Sequence, residues 1–143
     1  MADIFFWSRQ DKYGYLSNFY RSPIEVDGKV YATTEHYYQA SKTLISQEQE
    51  MIRGLVTPTE AKFAGYHVTL RKGWNGMKDE VMLRALMAKF TQYPPLKEEL
   101  LSTGDTTLHE NSPWDRYWGY VDGRGLDTLG KLLMQVRGEL SNV

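Results

Sequence analysis

Ile24, Val26 and Val30 alternate with polar residues on the two sides of Asp27-Gly28 in the stretch PIEVDGKVYA. Period-two alternation around Asp-Gly predicts a β-hairpin, because both turn positions need positive φ angles that Asp and Gly tolerate. A short apolar run, DIFFW, predicts a strand near the N-terminus. The period then changes to that of helices. Thr33 or Thr34 caps the first, with Glu35 in its first turn, where a negative charge meets the positive helix end. Ser46 with Gln49 three residues on resembles a capping box, and Thr57-Pro58-Thr59-Glu60 is a stronger start signal. Met77, Val81, Ala85 and Ala88, with Met82, Leu86 and Phe90, form an apolar stripe over about 77–91, closed by Pro94-Pro95. Leu96, Leu100 and Leu101 predict a helix stopped by Gly104. Leu126, Leu129, Leu132, Leu133 and Val136 predict the last one. The expected fold is α+β: one mostly helical domain over 1–143 with a small antiparallel sheet near the N-terminus. Residues 104–125 fit no helical pattern and predict a long irregular loop, the kind of segment in which functional groups collect.

Composition narrows the classes. The chain has 143 residues, a length that suits one sizeable core. Its net charge is −1, which gives no footprint for bulk nucleic-acid binding. It has no cysteine, so disulfides and thiolate metal sites are excluded. The N-terminus lacks a signal-peptide pattern and no apolar run approaches a membrane span, so a cytoplasmic location is expected. Four Trp, ten Tyr and five Phe make the chain 13% aromatic, and many stand beside polar residues, as in YLSNFY, KGWNG and PWDRYWGY. Such pairs suit a pocket for a flat heterocycle, although aromatic residues also fill ordinary cores.

The stretch TTEHYYQASK, residues 33–42, concentrates the candidate chemistry. A metal site there would need a second His one turn from His36, and none exists, so no metal is expected. An ordinary amphipathic helix would bury Tyr37, Ala40 and Leu44 and leave Glu35, Gln39 and Lys42 in water. A working face would use the same geometry. Glu35, Tyr38, Gln39 and Lys42 would line it, supplying a carboxylate, a phenol, an amide and an amine to a cationic sugar centre and its hydroxyls. Two other clusters join the list. In RKGWNGMK, Arg71, Lys72 and Lys78 surround Trp74 at a helix start, where amides and positive charge receive phosphate. In ENSPWDRYWG, Glu110 and Asp115 flank a turn that presents Trp114 and Trp118, or Asp115 simply bonds backbone amides there. GRGLDTLG has the spacing of no nucleotide loop.

Taken together, YLSNFYRSPIEVDGKVYATTEHYYQASK, KFTQYPPLKEELLSTGDTTLHENSPWDRYWG and LGKLLMQVRGEL resemble the YbiA-like, or NADAR, family over nearly the whole chain and in the family's order. Arg21 stands where the family often has Pro, Tyr38 where it often has Phe, Asp127 where Asn is common, and Val121 where Gly is common. The resemblance implies an N-glycosidase acting on phosphorylated ribosylaminopyrimidine intermediates of riboflavin synthesis or on guanine-linked ADP-ribose, including guanine in DNA, with no cofactor. The alternative is a non-enzymatic module that binds ADP-ribose or a related nucleotide.

On the implied chemistry, positive charge develops at the anomeric carbon as the C–N bond breaks, and a carboxylate in a dry pocket stabilises it. Glu35 is the first candidate and Asp115 the second carboxylate. The resemblance also raises a lysine that attacks the sugar, matched here by Lys42 and Lys78. Lys78, expected to open its helix, is favoured as the perturbed amine, and Lys42 as a sugar or phosphate contact. Trp74 and Trp118 would stack the base, with Asn18 and Phe19 as a further wall.

Overall fold

The computed structural model describes residues 2–142. Along the chain run β1 (Ile4–Phe6), β2 (Ile24–Val26), β3 (Lys29–Tyr31), α1 (Thr34–Ala40), α2 (Ser46–Arg53), α3 (Pro58–Ala64), α4 (Trp74–Gln92), α5 (Pro94–Ser102), β4 (Leu108–Glu110) and α6 (Thr128–Ser141). The α+β class, mostly helical, is the one the sequence predicts. The packing divides the chain into two compact units: Asn18–Gln92, and the described parts of Met1–Ser17 with Tyr93–Val143. No helix among the described residues is long and apolar enough to cross a membrane.

In the unit 18–92, β2 and β3 pair antiparallel across Asp27 (φ 53°) and Gly28 (φ 80°), the positive-φ turn that Asp-Gly predicts. One detail differs. Val30 stands opposite Glu25 and is 51% exposed, while Ile24 and Val26 are buried. Residues directly opposite share a face, so the two-residue turn puts Val30 on Glu25's outer side and brings Tyr31 inward opposite Ile24. Ile24 and Val26 pack with Tyr37 and Ala85, and Tyr31, Val81 and Ala88 close over them. Ala40, Ile52 and Ala61 form a second cluster that ties α1 to α2 and α3. The Gln92 side chain bonds both the N–H (2.9 Å) and the carbonyl (2.8 Å) of Glu25, which fastens the end of α4 to β2.

The helix starts differ in how well their signals hold. At α3 the capping box forms in full: Thr57 Oγ1 accepts from Glu60 N–H at 3.1 Å and Glu60 Oε1 accepts from Thr57 N–H at 3.0 Å. At α2 the Ser46–Gln49 box does not form, and Ile45 is the N-cap residue. Thr43 takes over. Its hydroxyl accepts from Ile45 N–H and donates to Glu48, and its carbonyl accepts from Gln49 Nε2 at 2.7 Å. Gln49 therefore reaches past Ser46 to the preceding turn.

In the other unit, β1 runs parallel to β4, with Ile4 against Leu108 and Phe6 against Glu110. This corrects two expectations, since residues 104–125 contain a strand and not every pair is antiparallel. Three residues paired across about a hundred positions leave no turn signal to read. Leu129, Leu133, Val136 and Leu140 of α6 are buried, whereas Leu126 is 57% exposed and lies outside the helix. The chain enters α6 through Asp127 in the left-handed region (φ 58°), which turns Leu126 away. Arg137 is buried and donates to Thr103 Oγ1 (2.9 Å) and the Thr106 carbonyl (2.7 Å).

Candidate active site

The seven residues of α1 are all buried. Thr33, extended at φ −146°, caps the helix by accepting from His36 N–H at 3.1 Å. His36 Nε2 lies 2.9 Å from the Leu55 carbonyl, which can only accept, so Nε2 carries the hydrogen and Nδ1 accepts from the Thr33 hydroxyl at 2.8 Å. Burial pushes the His36 pKa down, which favours this neutral form. His36 is a strut. Among the described residues, no three His, Asp or Glu side chains gather as a metal-binding group.

The amphipathic alternative fails on burial. Glu35 is 7% exposed and Gln39 4%, while Leu44, assigned to the buried side, is 67% exposed. A carboxylate is not buried without compensation. Here the Gln39 amide donates to Glu35 Oε2 at 2.6 Å, one helical turn on. Asn18 anchors the start of the same helix. Its carbonyl accepts from Glu35 N–H at 3.2 Å, its Oδ1 accepts from the Thr34 hydroxyl at 2.8 Å, and its amide rests on Met82 Sδ. Asn18, expected as a pocket wall, thus positions the backbone of Glu35, and Phe19 beside it is half-buried.

Lys42 follows α1 in the turn. Its Nζ lies over the rings of Tyr38 (5.6 Å) and Tyr66 (5.8 Å), where cation–π attraction holds it. Its pKa is lowered, by burial first. The Glu35 charge opposes this, and the Lys62 and Lys78 charges reinforce it. Glu35, Lys42 and Lys78 therefore share one electrostatic neighbourhood within this unit. The expectation that a helix end would make Lys78 the perturbed amine loses its basis, because α4 begins at Trp74 and Lys78 lies beyond its first turn. Among the candidates named from the sequence, burial depresses the pKa of Lys42.

Trp74 is 5% exposed and tilts against Tyr38 at 5.3 Å. It packs the wall behind Lys42 instead of offering an open stacking face. Arg71 is turned back to the end of α1, its N–H bonding the Lys42 carbonyl at 2.7 Å and its guanidinium the Ser41 carbonyl at 3.4 Å. It holds Lys42's backbone in place.

In the other unit, Asp115 spends Oδ1 on its own turn, accepting from the N–H groups of Tyr117 and Trp118 at 2.9 Å each. The carbonyls of Arg116, Tyr117 and Trp118 accept from the N–H groups of Leu126, Thr128 and Leu129 at the start of α6. Trp114 is 73% exposed and Trp118 is half-buried, edge-on to Tyr117. The loop is thus an ordered structure braced on α6. Its other brace is His109, stacked between Phe5 (4.7 Å) and Tyr120 (4.9 Å), with Nδ1 2.6 Å from Asp127 Oδ2 and Nε2 2.9 Å from Asp3 Oδ2.

Four residues escaped sequence reasoning. Tyr66 and Lys62 flank Lys42, and Gly65 abuts Gln39. Lys89 is 1% exposed over the rings of Tyr20 and Phe90, and burial brings its pKa to about 7. The signal available for Lys89 was its position in the apolar stripe of α4, one residue before Phe90.

Comparison with known proteins meets this geometry. The E. coli protein named N-glycosidase YbiA is 43% identical over 139 residues, covering 95% of this chain and 87% of that protein. The NMR structure of E. coli YbiA matches with a TM-score of 0.89 at 41% identity, over 99% of this chain and 88% of that one. A Vibrio vulnificus protein named as a riboflavin biosynthesis protein is 39% identical over 140 residues, which are 96% of this chain and 38% of its own. The NADAR domain family matches residues 5–141, through both compact units, and the chain belongs to that family.

Proposed function

We propose that this protein is an N-glycosidase that hydrolyses the ribosyl C–N bond of a phosphorylated ribosylaminopyrimidine. The class of reaction follows from the family, in which the E. coli relative is named an N-glycosidase. The substrate class is suggested by the Vibrio vulnificus relative named for riboflavin biosynthesis. Guanine-linked ADP-ribose, free or in DNA, is the competing substrate, since it presents the same ribosyl C–N bond.

The observation that carries the proposal is the buried Glu35 carboxylate, held by Gln39 within electrostatic reach of the depressed amine of Lys42. As the C–N bond breaks, its electron pair leaves with the base, which takes up a proton. Positive charge spreads over the anomeric carbon and the ring oxygen, and Glu35 stabilises it. In the simpler route, water adds to that carbon and loses a proton to Glu35. In the other, the neutral Lys42 amine forms the new bond, the ring opens to an imine, and water releases the sugar and restores the amine. Lys78 and Phe19, in the same unit, stay candidates for substrate contact and rank below these two.

The test is release of free base from an aminopyrimidine riboside phosphate and, in parallel, from guanine-linked ADP-ribose. Faster release from the first supports the proposal. Faster release from the second moves the substrate class to ADP-ribosylated guanine. Binding of either with no release would leave a nucleotide-binding module and overturn the proposal.

A further inference from the structure

Gly65 is the C-cap residue of α3, and its backbone is helical at φ −61° and ψ −20°. Any L-residue adopts those angles, so conformation does not require glycine there. Space does. A Cβ at residue 65 would land on Oε1 of Gln39 and crowd its amide carbon. That Oε1 is buried and accepts no hydrogen bond. Leaving an amide oxygen buried and unbonded is costly. Turning the amide over would present Oε1 to the Glu35 carboxylate, where it could only repel. The amide is therefore held with its nitrogen on Glu35 Oε2 at 2.6 Å and its oxygen against the bare Cα of Gly65.

We infer that Gly65 and Gln39 form a positioning device, in which the end of α3 sets the place of the Glu35 carboxylate through the Gln39 amide. Gln39 is thus a positioning residue and not the substrate contact that the sequence suggests. The inference rests on the proposed role of Glu35 in glycoside cleavage. The geometry explains why a glycine on another helix is tied to the site: Gln39 follows Glu35 by four residues on α1, and α3 packs against α1.

The experiment has an arm that does not depend on activity. In uniformly 15N-labelled protein, the Gln39 side-chain NH2 resonances should titrate with the ionisation of Glu35. That titration should vanish in Glu35→Gln and in Gly65→Ala, because the new methyl group displaces the amide. In the kinetic arm, Gly65→Ala should lower kcat for base release about tenfold and leave KM within about twofold. Gln39→Met, which keeps the volume and loses the donor, should do the same. In a Gln39→Ala background, where no amide is left to displace, Gly65→Ala should change kcat by less than about twofold.

A Gln39 resonance that ignores Glu35, or persists unchanged in a folded Gly65→Ala protein, would overturn the inference. So would a full tenfold kcat loss from Gly65→Ala in the Gln39→Ala background. Resonance coupling as described, with no base release from either substrate, would keep the positioning device and sink the proposed reaction instead.

Discussion

Residues 33–42 and residues 110–127 offer the same chemical types: carboxylates, tyrosines, lysine or arginine, and a neighbouring tryptophan. The structure treats their carboxylates differently. Asp115 gives an oxygen to two backbone N–H groups, and the turn it ties is braced in turn on α6. Glu35 accepts from the side chain of Gln39 while its own N–H is taken by Asn18, so a side-chain amide aims this carboxylate. The cations differ as well. Lys42 is held under two rings with a lowered pKa, whereas the cation beside Asp115, Arg116, lies exposed. The lesson is that residue type nominates a site, and the use already made of each lone pair decides between nominees.

The comparison is tested most severely at Glu35. Glu35→Gln keeps the shape of the side chain and still offers Gln39 an oxygen, so stability should change by no more than about 1 kcal/mol. Loss of the charge opposite the developing cation should reduce kcat at least about a hundredfold, near 3 kcal/mol. Steady-state base release on protein verified by circular dichroism measures it, and wild-type turnover would remove Glu35 from the mechanism.

The amines separate next. If the imine route operates, borohydride added during turnover should trap the sugar on Lys42, and peptide mapping should find the adduct there. Burial moves the Lys42 pKa downward, the direction that favours the neutral amine an attack requires. An adduct on Lys78 would restore the expectation drawn from sequence. One on Lys89, whose pKa lies at about 7, would show that the most buried amine reaches the sugar. Normal base release with no adduct leaves water as the nucleophile.

Asp115 should respond as a structural residue. Asp115→Ala removes the acceptor for two backbone N–H groups in a turn that supports α6, and should destabilise the protein by about 1–2 kcal/mol in urea unfolding. Asp115→Asn, which keeps an acceptor oxygen, should recover most of that. Equal losses from both would mean that charge, and not capping, is what the turn needs.

Much of this was legible along the chain. The hairpin, the α3 capping box and the α4 stripe are local, so their signals lie within a few residues of one another. Glu35 and Lys42 could be named because carboxylate and amine stand on one short segment. Burial of that segment could not be read, since the polar residues of α1 are covered by α2, α3 and α4, which come later in the sequence. The roles of Gly65 and Tyr66 depend on how α3 and the turn after it lie against α1. Strand β4 was missed for a related reason, because its partner is the N-terminal strand.

The two buried histidines, His36 and His109, give the smallest and most selective test. Both are buried and both ring nitrogens of each are bonded, yet their neighbours differ: His36 meets a hydroxyl and a carbonyl, and His109 meets two carboxylates. Burial alone would lower the His109 pKa. The hydrogen bonds and charges of Asp3 and Asp127 outweigh it, and the net shift is upward. A histidine whose folded pKa exceeds its unfolded value, about 6.5, binds its proton more tightly when folded. Its stabilisation is complete below that unfolded value and is lost as pH rises through the raised folded one. The urea midpoint of the wild type should therefore exceed that of His109→Gln most near about pH 6, and the gap should narrow towards about pH 9. His36→Gln should show no such narrowing, because a neutral ring has no charge to lose on that side of its titration. A gap at His109 that is flat with pH would mean that its carboxylate contacts stabilise the neutral ring as well as the charged one.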